Sequence, residues 1–369
     1  MKKITSFLLI LLLLCSSLLL CACSGSNFSK DRASEEMNKT FDNYIETKFV
    51  VSSAFKVVDR KHNFIWEKST DDMNSDTLFC TASITKMFTS VVILKLISEG
   101  VISFDGTLAD YLPKELYEDT LVYNGTDYSS SVTIRQLLSH TSGMPDYFTE
   151  MSEKYDSIYE ICYTGHDEAY QYETILDMTR NLPAHCKPGE TEIAVYSDFN
   201  FQLLGKIIEQ VTGKSLGENY SDYIFEPLKM TSTFLFEEGM KWGDIITIRG
   251  KETIGQYPLM QASEWAAGGI VSTCNDLVTF LEAYFDYRLF DEKYKDDVFN
   301  FNEMSTDRSY GLGLMHITKG FEMYGHNGSL GTIAVYCPSL KTFVVGTLNN
   351  CDGSGAIDLA KRLLYSIKH

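Results

Sequence analysis

Residues 81–100 (TASITKMFTSVVILKLISEG) carry the longest apolar run of the chain beyond its first residues. Between 84 and 97 the only charges are Lys86 and Lys95; Ile84, Met87, Phe88, Val91, Val92, Ile93, Leu94, Leu96 and Ile97 fill most of the remaining positions. Such a pattern predicts a helix buried on nearly all sides, stopped at Gly100. Alternating patterns predict strands over 49–59 and 62–68, with a turn near Arg60–Lys61, and several antiparallel strands over 308–350. Helical spacing predicts helices over 132–138, 196–213 and 356–367, helical patches within 167–181, a helix with a short extension over 216–236, and a helix from about Cys274 after a Gly-Gly turn. Residues 101–113 read as a loop. Strands therefore occupy both ends and helices the middle. The expected fold class is α+β: an antiparallel sheet flanked by helices, from about 45–110 and 262–369, with a mostly helical insert over about 111–261.

The first 22 residues stand apart. Lys2 and Lys3 precede an apolar segment over 4–20, and Leu20-Cys21-Ala22-Cys23 fits a bacterial lipoprotein signal with a lipid on Cys23. An uncleaved membrane anchor is the alternative. Residues 23–44, polar and small over 24–39, are expected to tether the domain 45–369 to the extracytoplasmic membrane surface, with a helix beginning within 40–48. The formal charge of −18 becomes −20 once Lys2 and Lys3 are removed (−18 − 2), which excludes nucleic acid as a natural partner and disfavours adhesion to anionic lipid. Six of the nine cysteines lie beyond the signal, with no C-x-x-C spacing or nearby histidine pair, so no metal site is expected. A Cys162–Cys186 disulfide is conceivable; buried free thiols are the default.

The buried helix brings chemistry with it. Ser83 and Lys86 are three residues apart and share a helix face. A serine hydroxyl needs a base, and an amine desolvated by apolar neighbours can supply one. The bland alternative is a capping Ser83 and a Lys86 that reaches water. The second Ser-x-x-Lys, Ser53–Lys56, lies in a strand pattern, where the two side chains take opposite faces. Gly213-Lys-Ser-Leu-Gly217 mimics a nucleophile elbow but follows a helix, so Ser215 reads as a turn residue. His140 reads as a hydrogen-bonded turn residue. His166, His185 and His316 have no partner pattern. The aromatic segment 146–172 lines a cleft or fills the insert core.

Further motifs accumulate: Tyr196-Ser-Asp198 at a helix start, His326-Asn-Gly328 in a strand, and LLSHTSGMPDY, EWAAGGIVST, YGLGL and GHNGSLG between and around them. Together, over roughly 45–367, they resemble the serine β-lactamase and penicillin-recognising family in its class C-like and DD-peptidase-like branch. The resemblance implies a β-lactamase/transpeptidase-like fold and a serine hydrolase without metal or organic cofactor. Ser83 would be acylated, Lys86 would be its proton partner, and Tyr196 would carry protons to the leaving group. His326, with Asn327 and Gly328, stands where that family has Lys-Thr-Gly or His-Thr-Gly, and the backbone N–H groups of Ser83 and Ser329 would form the oxyanion hole. A phenol between two cationic neighbours is expected to have a lowered pKa.

Two departures bear on substrate. His326 replaces the usual Lys, and the resemblance implies that such histidine versions are DD-peptidases and esterases rather than efficient class C β-lactamases; Asn327 replaces the usual Thr or Ser, which helps hold a substrate carboxylate. Asp198 replaces Asn; an ionised Asp198 beside Lys86 favours the charged amine and opposes its use as a base, yet offers a seat for a substrate ammonium. The expected function is a monomeric, lipid-anchored, extracytoplasmic hydrolase of D-amino-acid amides or esters of the cell wall. A class C-like β-lactamase and a catalytically weak binding or sensor protein are the alternatives.

Overall fold

A computed structural model describes residues 28–159, 165–190, 193–249 and 254–368. The signal segment and the proposed lipidation residue Cys23 lie outside them. The longer helices are α1 (Lys30–Lys48), α2 (Thr85–Ser98), α3 (Asp198–Thr212), α4 (Pro258–Gly268), α5 (Cys274–Phe285) and α6 (Gly353–Lys368). Both ends of the chain build one antiparallel sheet, as expected. The first end gives β1 (Ala54–Asp59) and β2 (Phe64–Ser69). The last gives β3 (Asn302–Ser305), β4 (Arg308–Tyr310), β5 (Met315–Ile317), β6 (Met323–Gly328), β7 (Thr332–Cys337) and β8 (Thr342–Thr347). Their order is β3-β4-β5-β6-β7-β8-β1-β2, so β1 pairs with β8 and joins the two ends, with Val57 opposite Val344.

The sheet is covered on both faces. Every residue of β8 is buried. Phe343 and Val345 belong to the core shared with α2 and α5, while Val344 belongs to the opposite core shared with α1 and α6. This is the period-2 alternation of a strand with apolar layers on each side.

Helix α1 corrects the expected tether. Residues 30–44 form most of a 19-residue helix, capped by the Ser29 hydroxyl, which accepts from the Arg32 N–H. Ala33, Met37, Phe41 and Tyr44 recur every three or four residues and bury one stripe. Phe41 meets Phe55 and Trp66 edge-on, and the Tyr44 hydroxyl donates to the Gly355 carbonyl at 2.9 Å. The polar residues that suggested a tether are the solvent side of this helix.

On the other face, twelve of the fourteen α2 residues are buried. Phe88 stacks on Phe280 of α5 at 3.8 Å. Burying each large apolar side chain contributes about 1.5–3 kcal/mol, which allows α2 to carry a buried lysine despite its desolvation cost. Helix α4, where only a Gly-Gly turn was expected from 262, starts at Pro258, which supplies a φ already suited to a first turn. It kinks at Trp265 (φ 36°, ψ −114°), and its last turn runs against α2.

Candidate active site

Ser83 does not sit inside α2 but in a single 3₁₀ turn, Ala82–Ile84, just ahead of it. Ala82 before it takes a left-handed φ of 50°, a strained conformation for a residue with a Cβ. The turn is tied down on two sides. The Thr81 hydroxyl donates to the Ile270 carbonyl at 2.9 Å, and the Thr332 hydroxyl of β7 donates to the Thr81 carbonyl at 2.8 Å. Within 81–94 only Ser83 is partly exposed.

Lys86 is fully buried one turn later. Its Nζ lies 3.2 Å from Ser83 Oγ and 2.9 Å from the Ala267 carbonyl, and it forms an ion pair with Asp198 at the start of α3. Three acceptors thus match three ammonium hydrogens. The kink at Trp265 lets the end of α4 turn its carbonyls toward α2: Ala267 O faces Lys86, and Ala266 O accepts from the Thr89 hydroxyl at 2.7 Å.

The HTSGMPD and YSDFN motifs occur together because each supplies the other's hydrogen bonds. The Ser197 N–H and the Asn200 amide both donate to His140 Nδ1, at 3.2 and 3.0 Å. The Ser197 hydroxyl donates to the Pro145 carbonyl, and the Asp198 N–H donates to Asp146 Oδ1 at 2.9 Å. His140 is therefore the hydrogen-bonded turn residue expected, at φ 56°, and its ring packs on Tyr196 with centroids 4.3 Å apart.

Tyr196 reaches Ser83: its phenol and the serine hydroxyl share a hydrogen bond. The Lys86 Nζ lies 5.0 Å from the Tyr196 ring centre. The lowered phenol pKa expected from two cationic neighbours is not found. Burial, then the Asp198 charge, pushes Tyr196 well above the ordinary tyrosine value. One expected cation is absent: burial, reinforced by Lys86, drives His326 down to about 3 and keeps it neutral. The other, Lys86, is matched by Asp198.

His326 has both ring nitrogens engaged. Its Nδ1 lies 2.7 Å from the Asn327 carbonyl, which can only accept, so Nδ1 carries the proton. Its Nε2 then accepts from the Tyr310 hydroxyl at 2.9 Å. Its ring centre is 6.2 Å from that of Tyr196. Asn327 departs from the expected substrate-binding place, since its amide donates to the Gly353 carbonyl at the start of α6, at 3.4 Å. On a strand, neighbours such as His326 and Asn327 point to opposite faces. Gly328 does bring β6 to the nucleophile turn. A Cβ there would lie 2.3 Å from Thr332 Oγ1, 2.7 Å from the Thr81 carbonyl and 2.8 Å from Ala82 Cβ. Ser329 and Ala82 consequently line one cavity, beside Ser83.

That cavity also exposes residues the sequence reading left without roles. Phe148, from the aromatic segment, and Met260, Glu264 and Leu330 line it. Glu264 stands in EWAAGGIVST, where a lone carboxylate among small and apolar residues was the available signal. Tyr310 stands in YGLGL and is fully buried, and no signal in the sequence pairs it with His326. Around Lys86 the acids are crowded. Burial, then the Asp198 charge, raises Asp146 to about 7 and Glu264 to about 8.

The decoys fall as expected. Ser215 caps the helix Leu216–Tyr220, its hydroxyl accepting from the Glu218 N–H while the Glu218 carboxylate takes the Ser215 N–H. The Lys56 amine bonds Glu67 and Asn275, and the Ser53 hydroxyl bonds the Thr347 carbonyl. Cys186 has a free thiol, as do Cys80, Cys274 and Cys337; Cys186 and Cys351 are only partly buried, against the default of burial, and Cys162 lies outside the described residues.

Comparison with known proteins gives the same picture. The Beta-lactamase family model matches residues 44–364. A D-aminopeptidase from Cereibacter sphaeroides is 26% identical over 265 residues, covering 70% of this chain and 47% of that protein. The chain thus spans about half the length of the curated relatives it matches first. Among solved structures, the D-amino acid amidase of Ochrobactrum anthropi SV3 with D-phenylalanine superposes with a TM-score of 0.75 at 21% identity, covering 91% of this chain and 99% of that one. A D-stereospecific amidohydrolase from Streptomyces sp. gives 0.72 at 23% identity, covering 88% and 97%. The antiparallel sheet with flanking helices, the Ser83–Lys86 pair at its buried helix and the match over nearly the whole described chain lead to one conclusion: the protein belongs to the Beta-lactamase family of penicillin-binding-protein-like serine hydrolases.

Proposed function

We propose that the protein hydrolyses amides or esters of D-amino acids through an acyl-enzyme on Ser83. The observation that carries this reading is the geometry at Ser83. A partly exposed hydroxyl touches both a buried amine and a phenol at the edge of a cavity. The D-aminopeptidase and D-amino acid amidase relatives support the substrate class.

Lys86 passes a proton to Asp198 across their ion pair, which frees its lone pair. Ser83 Oγ attacks the substrate carbonyl carbon while its proton moves to Lys86. The oxyanion is met by the backbone N–H groups of Ser83 and Ser329. As the C–N or C–O bond breaks, Tyr196 gives its proton to the leaving group and regains one from Lys86, which takes one back from Asp198. Water then attacks the ester by the reverse relay and releases the acid. His326, neutral and bonded to Tyr310, serves as a wall of the site rather than a base.

The second reading, a slow binding or sensor protein, draws on the same ion pair, which commits the Lys86 ammonium in the resting state. The test is the intact mass of the full chain after benzylpenicillin, beside Ser83→Ala, with turnover of D-phenylalanine p-nitroanilide and p-nitrophenyl esters. A Ser83-dependent adduct with turnover supports the enzyme. A lasting adduct without turnover favours the sensor, and no adduct and no turnover removes the acyl-enzyme. Residues 1–22 as a lipoprotein signal, with Cys23 lipidated, would place this chemistry at the outer membrane face near cell-wall substrates. Palmitate labelling lost in Cys23→Ala checks it.

A further inference from the structure

One carboxylate in the cavity takes no part in the relay. Glu264 lies one turn after Met260 on α4, and both face the cavity beside Ala82 and Ser329. The surrounding wall is largely apolar, with Phe148 and Leu330 on its other sides. Gly268 leaves room for the acid, since a Cβ there would lie 2.7 Å from Glu264 Oε2.

The three acids near Lys86 are not equivalent. Asp198 is committed to Lys86. Asp146 accepts from the Asp198 N–H, the Phe148 N–H and the Thr149 hydroxyl. Among the described residues, no group donates a hydrogen bond to the Glu264 carboxylate, and it faces the cavity that adjoins the nucleophile. A carboxylate with an apolar wall and no donor of its own is matched by a ligand that brings a cation to it. Asp198, the seat suggested by the sequence, is already paired with the Lys86 ammonium.

We propose that Glu264 receives the free α-ammonium of a D-aminoacyl substrate and so selects N-unblocked substrates over N-acylated ones. The inference rests on the Ser83 reading and assigns its selectivity. The charges facing Glu264 are those of Asp198, Asp146 and Lys86, and the Tyr147 and Tyr196 phenols also feel it. Burial and the two aspartates raise Glu264 to about 8 against the pull of Lys86. An arriving ammonium therefore displaces a proton from the carboxyl at neutral pH, and binding releases it to solvent.

The test separates binding from turnover. In a Ser83→Ala background the full chain is titrated calorimetrically with D-phenylalaninamide and with N-acetyl-D-phenylalaninamide, then again with Glu264→Gln or Glu264→Asp added. The expected result is a preference for the free amine, expressed as a ratio of Kd values. That ratio drops about 30-fold in Glu264→Gln, the worth of one charge-assisted hydrogen bond, and less in Glu264→Asp. Proton release near pH 7, read from two buffers of different ionisation enthalpy, is lost with the carboxyl. A ratio within threefold of the parent in Glu264→Gln, or no binding of the free amine to Ser83→Ala, overturns the assignment. Thermal melts show that each variant is folded. A Ser83 enzyme that binds the amine through Glu264 but never acylates would instead remove the acyl-enzyme reading and leave this one standing.

Discussion

Lys86 and Asp198 form an ion pair sealed from solvent, with side chains 0% and 5% exposed, across the junction of α2 and α3. The pair explains why an aspartate is tolerated at this place beside the nucleophile. Its charge offsets part of the desolvation cost of the lysine that the apolar helix carries. Asp198→Ala leaves that ammonium unpaired and is expected to lower stability by about 3–5 kcal/mol. Asp198→Asn keeps an acceptor for Lys86 and is expected to cost less. Urea unfolding of the two variants checks the order; equal losses would show that the acceptor kept by Asn contributes nothing and that the charge of Asp198 carries the whole effect.

Tyr310 and His326 form a second buried pair, which the strand histidine alone did not announce. Tyr310→Phe removes the donor to His326 Nε2 and is expected to cost about 1–3 kcal/mol, the penalty of a buried acceptor left unsatisfied. In the parent protein, the imidazole ¹⁵N shifts at pH 7 should report a neutral ring protonated at Nδ1. A protonated ring would contradict the depression of its pKa to about 3 by burial.

Asp146 gives stability a pH dependence with a definite sign. Its carboxyl, ordinarily near 3.9, is raised to about 7 in the fold by burial and Asp198. Between those values the folded chain holds a proton that the unfolded chain lacks. This contribution is complete below the unfolded value and is lost as pH rises through the folded one. Glu264 has the same sign up to about 8. His326 acts oppositely, but only below its unfolded value near 6.5. The urea midpoint is therefore expected to fall from pH 6.5 to about 8 and then level off, less steeply near pH 7 in Asp146→Asn.

Gly328 is where β6 touches the nucleophile turn, and two of its neighbours are the Thr81 carbonyl and Ala82 Cβ, which cannot swing aside. Gly328→Ala is expected to displace the turn at a cost of about 1–3 kcal/mol. Acylation of Ser83 should slow about 100-fold, the usual effect of a shift near 1 Å in a reacting group. A normal acylation rate by time-resolved mass measurement would show that the turn tolerates the displacement.

Helix α1 belongs to the folded domain. Phe41 is 2% exposed, against Phe55 and Trp66. Phe41→Ala is expected to lower stability by about 3–5 kcal/mol. A change below 0.5 kcal/mol, the range of surface substitutions, would return this segment to the tether read from its polarity.

Periodicity was enough for much of this architecture. The run at 84–97 determines a buried helix because no amphipathic surface could hide so many apolar side chains. The alternation at 49–68 and 308–350 determines strands, because one apolar face every second residue fits only a sheet. Ser83 and Lys86 meet because three residues bring two side chains onto one helical face. These are local rules, and they hold before the chain folds. Helix α1 follows the same rule, but its stripe of Ala33, Met37, Phe41 and Tyr44 is thin among charges, and its partner, α6, lies over 300 residues away. The charge states needed the tertiary structure. Whether His326 is a cation, whether Tyr196 has a lowered pKa and which acid is free for an ammonium depend on burial and on neighbours distant in sequence: Tyr310, Asp146 and Glu264. Burial and Coulomb interactions act through space, so spacing along the chain does not encode them.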